Sequence, residues 1–231
     1  MKKLNKENIC ICIFARKGSK GVKNKNIKKI DNKMLFEHSI GYAKKLNVGE
    51  IVISSNINEI ENYCKKNNFF FIKRPNKLAS SSSAELLSWK HAINEYEKLS
   101  QKKIDIFISL PVVSPLKNIS HIKRGLKIIK KKNYDMVVST IKSDVIPNFN
   151  LFEKKNNKLI ALKNIKKTYR RQSSNYSLVV PNFYICTKRY ILSTSHIFDG
   201  NVFPLEIPKK YSLDINDDFD FRLTKLLIED H

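Results

Sequence analysis

Apolar residues along this chain alternate between two kinds of spacing. Ile9–Ala15 is an unbroken apolar run rich in β-branched residues, which predicts a strand buried on both faces of a parallel sheet. Leu35, Ile40, Ala43 and Leu46 then recur at helical spacing and predict a helix over Leu35–Leu46. Glu50–Ser54 reads as a second strand, Asn58–Lys66 as a helix and Phe69–Ile72 as a third strand. This β-α-β-α-β order predicts parallel strands joined by right-handed crossovers. Beyond Arg74-Pro75, the serines Ser80–Ser83 precede another helix and offer it N-cap hydroxyls. Ile104–Leu110 reads as a strand, Ile119–Lys132 as a helix with Ile122, Leu126 and Ile129 inward, and Asp135–Ile141 as a strand. The pattern changes at Lys142. Asn148–Leu162 predicts short strands joined by the polar turn Glu153–Asn157, an antiparallel excursion from the α/β core. No linker interrupts the chain, so residues 1–231 read as one domain with a subdomain at 142–180. A helix at Asp218–Glu229 follows.

Composition narrows the partners. At 231 residues and 42% hydrophobic, the chain can bury a sizeable core. No apolar run approaches the ~20 residues of a membrane span, and the basic start lacks a small-residue cleavage site, so neither a membrane nor a signal peptide is expected. A cytoplasmic protein is expected. Cys10, Cys12, Cys64 and Cys186 form no C-x-x-C pair and no zinc spacing, and read as buried free thiols. The net charge of +23 raises nucleic acid as a partner. The lysines are spread over the whole chain, however, so no specific nucleic-acid partner is expected. Abundant Lys, Asn and Ile fit AT-rich codons, and the charge favours anionic substrates.

Three segments carry candidate chemistry. The first strand stops at Arg16, and the following loop holds Lys17, Gly18, Ser19, Lys20, Gly21, Lys23, Lys25 and Asn26. A glycine-bearing basic loop at the carboxyl end of a buried strand suits a phosphate-rich ligand, most simply a nucleoside triphosphate. The spacing fits neither G-x-x-x-x-G-K-[ST] nor G-x-G-x-x-G, and a solvated basic loop is the plain alternative. In Tyr169-Arg170-Arg171-Gln172, adjacent arginines suit a carboxylate clamp, or form a surface basic turn. In Asp214-Ile215-Asn216-Asp217-Asp218, oxygen donors alternate along the chain and suit Mg²⁺. The same residues can start a helix, with Asn216 as N-cap and Asp217 and Asp218 in the first turn.

Ala15–Asn26, with the later motifs in the same order, resembles the acylneuraminate cytidylyltransferase (CMP-sialic acid synthetase) family, whose first motif is A-R-x-G-S-K-G, two or three residues, then K-N. The resemblance implies a Rossmann-like nucleotidyltransferase α/β fold of the nucleotide-diphospho-sugar transferase kind. Its sheet would be mainly parallel and flanked by helices, with a small antiparallel excursion forming a homodimer. It implies transfer of CMP from CTP to a nonulosonic acid, with Mg²⁺ as cofactor. Arg16, Gly18, Ser19, Lys20, Lys25 and Asn26 would hold the nucleotide, joined by Ser82 and, in the Pro111–Leu116 loop, Ser114; Arg74 belongs to the same neighbourhood. Arg16, Lys25 and Asp214 would carry catalysis, and Asp214 with Asn216 would place the metal. Asn216 stands where the family usually has a second aspartate. Arg170, Arg171, Gln172 and Tyr184 would contact the sugar acid. Pro111 occupies a position that is glutamine in many relatives, and Lys117 one that is arginine. The alternatives are a 3-deoxy-manno-octulosonate cytidylyltransferase and a non-catalytic basic nucleotide-binding protein of the same fold.

Overall fold

The computed structural model describes residues 9–19, 21–80, 84–131, 134–165 and 175–229. In chain order, β1 is Ile9–Ala15, β2 Lys29–Ile30 and β3 Lys33–Met34, followed by α1 (Leu35–Leu46), β4 (Glu50–Ser55), α2 (Asn58–Lys66) and β5 (Phe70–Lys73). Then come α3 (Glu85–Ser100), β6 (Ile106–Ser109), α4 (Ile119–Lys131) and β7 (Met136–Lys142). The excursion holds β8 (Glu153–Lys155) and β9 (Lys158–Ile160); β10 (Ser177–Thr187), α5 (Lys188–Ser193), β11 (Val202–Glu206) and α6 (Asp218–Glu229) complete the chain.

Seven strands form one sheet in the order β11-β7-β10-β6-β1-β4-β5. β10 runs antiparallel to both neighbours, and the remaining pairs are parallel. β1 lies inside the sheet, between β6 and β4, with both of its faces apolar. Ile9, Ile11 and Ile13 pack in one core with Phe36, Ile40 and Leu126. Cys10 and Cys12 pack in the other with Trp89, Ile93 and Tyr96 of α3. Burying a large apolar side chain contributes about 1.5–3 kcal/mol, so these two layers dominate the fold. The four cysteines are free and buried.

Two local expectations are revised, and the structure adds one strand. Glu153–Lys155 is a strand, and the reversal narrows to Asn156-Asn157, both left-handed with φ 47° and 59°. That two-residue turn matches the twist of a hairpin. The cap position of α3 falls on Ala84, beyond the serine run, with no side-chain cap bond. β11 has no clear apolar alternation and contains Pro204. As the edge strand it pairs with β7 alone, where a missing N–H is tolerated.

Among the described residues, ten other than glycine hold positive φ, between 47° and 62°; eight are asparagine, and Asp31 and Gln101 are the others. Asparagine is among the few residues that accept this region.

Candidate active site

The parallel strands bring their carboxyl ends to one edge, and the loop after β1 lies there. Gly18 adopts φ 80°, which turns the chain back on itself. Arg16 Nη1 then donates to the carbonyls of Gly18 and Ala79, both at 3.3 Å, tying the loop to the segment before α3. The Lys17 amide donates to Asn56 Oδ1 at 2.8 Å, just past β4. Asn26 is buried and its Nδ2 donates to the Arg16 carbonyl at 2.9 Å, closing the loop from within. Lys25 Nζ reaches across to the Ile215 carbonyl.

The facing segment is 211–217. Ile215 N donates to the Val113 carbonyl at 2.9 Å, which aligns this segment with the loop after β6. Gly21 lies flat against it: a Cβ there would stand 1.6 Å from the Asn216 carbonyl oxygen. The helix start differs from expectation, since Asp217 and not Asn216 caps α6. Asp217 Oδ1 accepts from Asp220 N at 2.9 Å, and Asp220 Oδ2 accepts from Asp217 N at 3.3 Å and Asn216 N at 2.8 Å. This reciprocal pair is a capping box with aspartates in both roles. Asp218 pairs with Lys28 at 3.5 Å. Asp214 remains beside Lys25. Burial pushes its carboxyl above the usual range, against Asn216 and Lys25, which pull it down. Burial also lowers the Lys25 ammonium, with Arg16 adding to the effect and Asp214 opposing it.

Between these walls is a cleft of about 550 Å³. Arg16, Ser19, Lys25, Asn26 and Asn216 line it, as does Arg74. Arg74 is buried over the Phe14 ring at 5.1 Å, with Nε 3.4 Å from Ser54 Oγ. Burial brings its guanidinium down to about 10, still charged at neutral pH. Gly18 faces a second hollow behind the loop, which shares Arg16. Ser114 does not line the cleft. It is buried, accepts from Asn182 Nδ2 at 3.1 Å and lies 3.5 Å from the Tyr211 carbonyl, while its neighbour Val113 lines the cleft. Tyr184 packs in the core against Trp89, ring centres 5.3 Å apart, and its phenol is raised by burial and by the charges of Glu85 and Asp214. Lys20, Ser82, Arg170, Arg171 and Gln172 lie outside the described residues. Sequence reasoning missed Phe14, Glu85, Ser88 and Val113 as lining residues. Phe14 had one available signal, as the last large residue before the chain leaves the sheet.

The Asp214 carboxylate and the Asn216 amide oxygen are hard donors of the kind Mg²⁺ accepts. Among the described residues no group of three or more His, Cys, Asp or Glu side chains gathers to hold a metal by itself. The donors therefore fit an ion that takes its other ligands from phosphate and water.

A mostly parallel α/β sheet opening on a cleft with three cationic side chains suits a phosphorylated small molecule. The sequence profile of the cytidylyltransferase family matches residues 9–221, and the chain belongs to that family. It is 28% identical over 224 residues to a post-translational flagellin modification protein B of Campylobacter coli, covering 96% of this chain and 95% of that protein. It is 29% identical over 222 residues to a CMP-N,N'-diacetyllegionaminic acid synthase of Campylobacter jejuni, covering 95% and 94%. Among solved structures, a CMP:2-keto-3-deoxy-manno-octonic acid synthetase complexed with CTP superposes with a TM-score of 0.69 at 14% identity, covering 96% of this chain and 98% of the other. That likeness supports the nucleotidyltransferase fold expected from the sequence.

Proposed function

We propose that this cytidylyltransferase moves CMP from CTP to the anomeric hydroxyl of a nonulosonic acid and releases pyrophosphate. The observation that carries the reading is the meeting of Arg16, Lys25 and Asn216 on one cleft, with Asp214 beside Lys25. The anomeric oxygen forms its bond to the α-phosphorus as the bond to the β-phosphate oxygen breaks. Little covalent work falls to the protein, so positioning and charge neutralisation dominate. Arg16, Lys20 and Lys25 bind the triphosphate, and Asn26 keeps the loop closed around it. Asp214 and Asn216 would hold Mg²⁺, which would supply further neutralisation of phosphate charge. Arg170, Arg171 and Gln172 clamp the acid's carboxylate.

The active form is a homodimer joined through the excursion. Leu151, Leu159, Leu178 and Val179 are apolar and exposed there, Leu159 at 73%, and a second copy of the chain would cover them. The compartment is the cytoplasm, in keeping with four free thiols. The relative named for diacetyllegionaminic acid favours a legionaminic-type acid as first substrate.

The test is pyrophosphate release from CTP and Mg²⁺ with neuraminic, legionaminic and pseudaminic acids and octulosonate, with sedimentation of the same sample. Release with a nonulosonic acid by a two-chain species is expected. Release with octulosonate alone, or CTP binding without release across the panel, would overturn the assignment.

A further inference from the structure

Lys117 is a lysine out of place. It is 4% exposed. Its Nζ donates to three main-chain carbonyls: Asn182 at 2.6 Å, Ser114 at 2.7 Å and Pro111 at 3.1 Å. Only an ammonium has three N–H donors; a neutral amine has two, and its lone pair would face the third carbonyl. The Pro111 and Ser114 carbonyls belong to the loop after β6, and Asn182 sits where the register of β10 shifts between Val179 and Tyr184. Asn182 extends the same network, with Nδ2 at 2.7 Å from the carbonyls of both Leu116 and Tyr211. Val113 projects from this loop into the cleft, and its carbonyl receives Ile215 N, next to Asp214. The nearby titratable groups are Tyr211, whose main chain joins the network, and His121, whose ring meets the Tyr211 ring at 5.2 Å. Burial lowers the Lys117 ammonium, to about 7.

We propose that Lys117 is a positioning residue for CTP: its ammonium latches the Pro111–Leu116 loop to β10 and so sets Val113 and the Asp214 segment against the nucleotide. The proposal rests on the reading that this cleft takes CTP. The latch is held while the proton is present and loosens as pH rises through the folded value. The fold itself does not weaken over that window. An unfolded lysine keeps its proton to roughly 10.4, so the unfolded chain binds more protons and this group's contribution to stability rises with pH. Falling CTP affinity without a falling melting temperature is therefore the signature, and a purely structural lysine would not give it.

The experiment is CTP titration calorimetry and thermal melting of wild type, Lys117→Arg and Lys117→Met from pH 7 to 9. At pH 7, Lys117→Met should bind CTP about tenfold more weakly while still melting cooperatively. A guanidinium stays charged throughout, so Lys117→Arg should lose less affinity with pH than wild type, by about tenfold at pH 9. Loss of the Lys25 proton acts on both and cancels in the comparison. Hydrogen exchange of the Val112, Val113, Ser114, Leu116 and Lys117 amides in wild type, normalised to the intrinsic rate at each pH, should rise over the same window, and this reading survives even if the variants fail to fold. Parallel affinity profiles for wild type and Lys117→Arg, or flat normalised exchange, would overturn the latch with the function reading intact. No CTP binding by wild type at any pH would overturn both.

Discussion

Replacing Gly21 by alanine tests whether the loop after β1 and the 211–217 segment form one rigid assembly. The added Cβ would sit 1.6 Å from the Asn216 carbonyl oxygen and 2.8 Å from its carbon. Both atoms are main chain, so no side chain can swing aside. Ordinary contact begins near 3.4 Å, so the two segments must part by roughly 1.8 Å. Overpacking of this kind costs about 1–3 kcal/mol. In a domain of this size that lowers the melting temperature by about 2–4 °C per kcal/mol. Activity should suffer more. A misplacement of about 1 Å can cost about 100-fold in rate, equivalent to about 2.7 kcal/mol of barrier. Pyrophosphate release with CTP and a nonulosonic acid should therefore fall about 100-fold or more in kcat/KM, with the protein still folded at 25 °C. Gly18→Ala is the control. Its Cβ meets nothing within 4 Å, and the cost is the φ of 80° alone, about 1–2 kcal/mol of backbone strain. Its stability should drop, with activity held within several-fold. A Gly21→Ala protein within fivefold of wild-type activity would refute the reasoning, because the two segments could then separate without consequence.

Three further outcomes are expected. The proposed mechanism needs Lys25 protonated and Asp214 ionised, and burial lowers the first and raises the second. The pH profile of kcat/KM should thus lose its acid limb above the usual carboxylate range and its alkaline limb below the usual lysine range. Lys25→Ala should lower turnover by orders of magnitude in a folded protein, and near-normal turnover would defeat the assignment. Asn216→Asp adds a second charged oxygen donor beside Asp214. Without nucleotide it should bind Mn²⁺ about tenfold more tightly, about 1.4 kcal/mol, in a titration followed by electron paramagnetic resonance. Unchanged affinity would show that this position does not face the ion.

The sheet was legible wherever burial was two-sided, because an apolar run such as Ile9–Ala15 leaves no other reading. β11 was illegible because an edge strand needs neither full apolarity nor every N–H, and Pro204 argues against a strand everywhere else. In the site, the loop motif drew attention to Arg16, Lys25 and Asn26, but not to their division of labour. Asn26 turned inward to hold Arg16, which no spacing reveals. Ser114 and Val113 are neighbours in the loop after β6, where the chain turns at Val112-Val113, so Val113 lines the cleft while Ser114 is buried; the motif singled out Ser114, and spacing alone does not show which of the two lines the cleft. The Asp214–Asp220 run shows the same limit. The sequence singled out Asp214 but did not show which of the other aspartates cap the helix, and the helix start decides that: Asp217 and Asp220 cap α6, Asp218 pairs with Lys28, and Asp214 is left by Lys25.

The asparagine corners bear on how this sequence can drift. Six glycines serve the whole chain, and the left-handed positions have passed largely to asparagine. An asparagine leaves the unfolded chain fewer conformations than a glycine would, and it still enters a region closed to β-branched residues. Exchange between asparagine and glycine at these corners is therefore close to neutral for folding, whereas a valine or isoleucine there is not. Mutation toward lysine and asparagine can rewrite helix surfaces and turns while the two-sided strands stay fixed. Lineages of this enzyme can thus diverge widely in surface and corner while the geometry that aims Arg16 and Lys25 at the cleft is inherited unchanged.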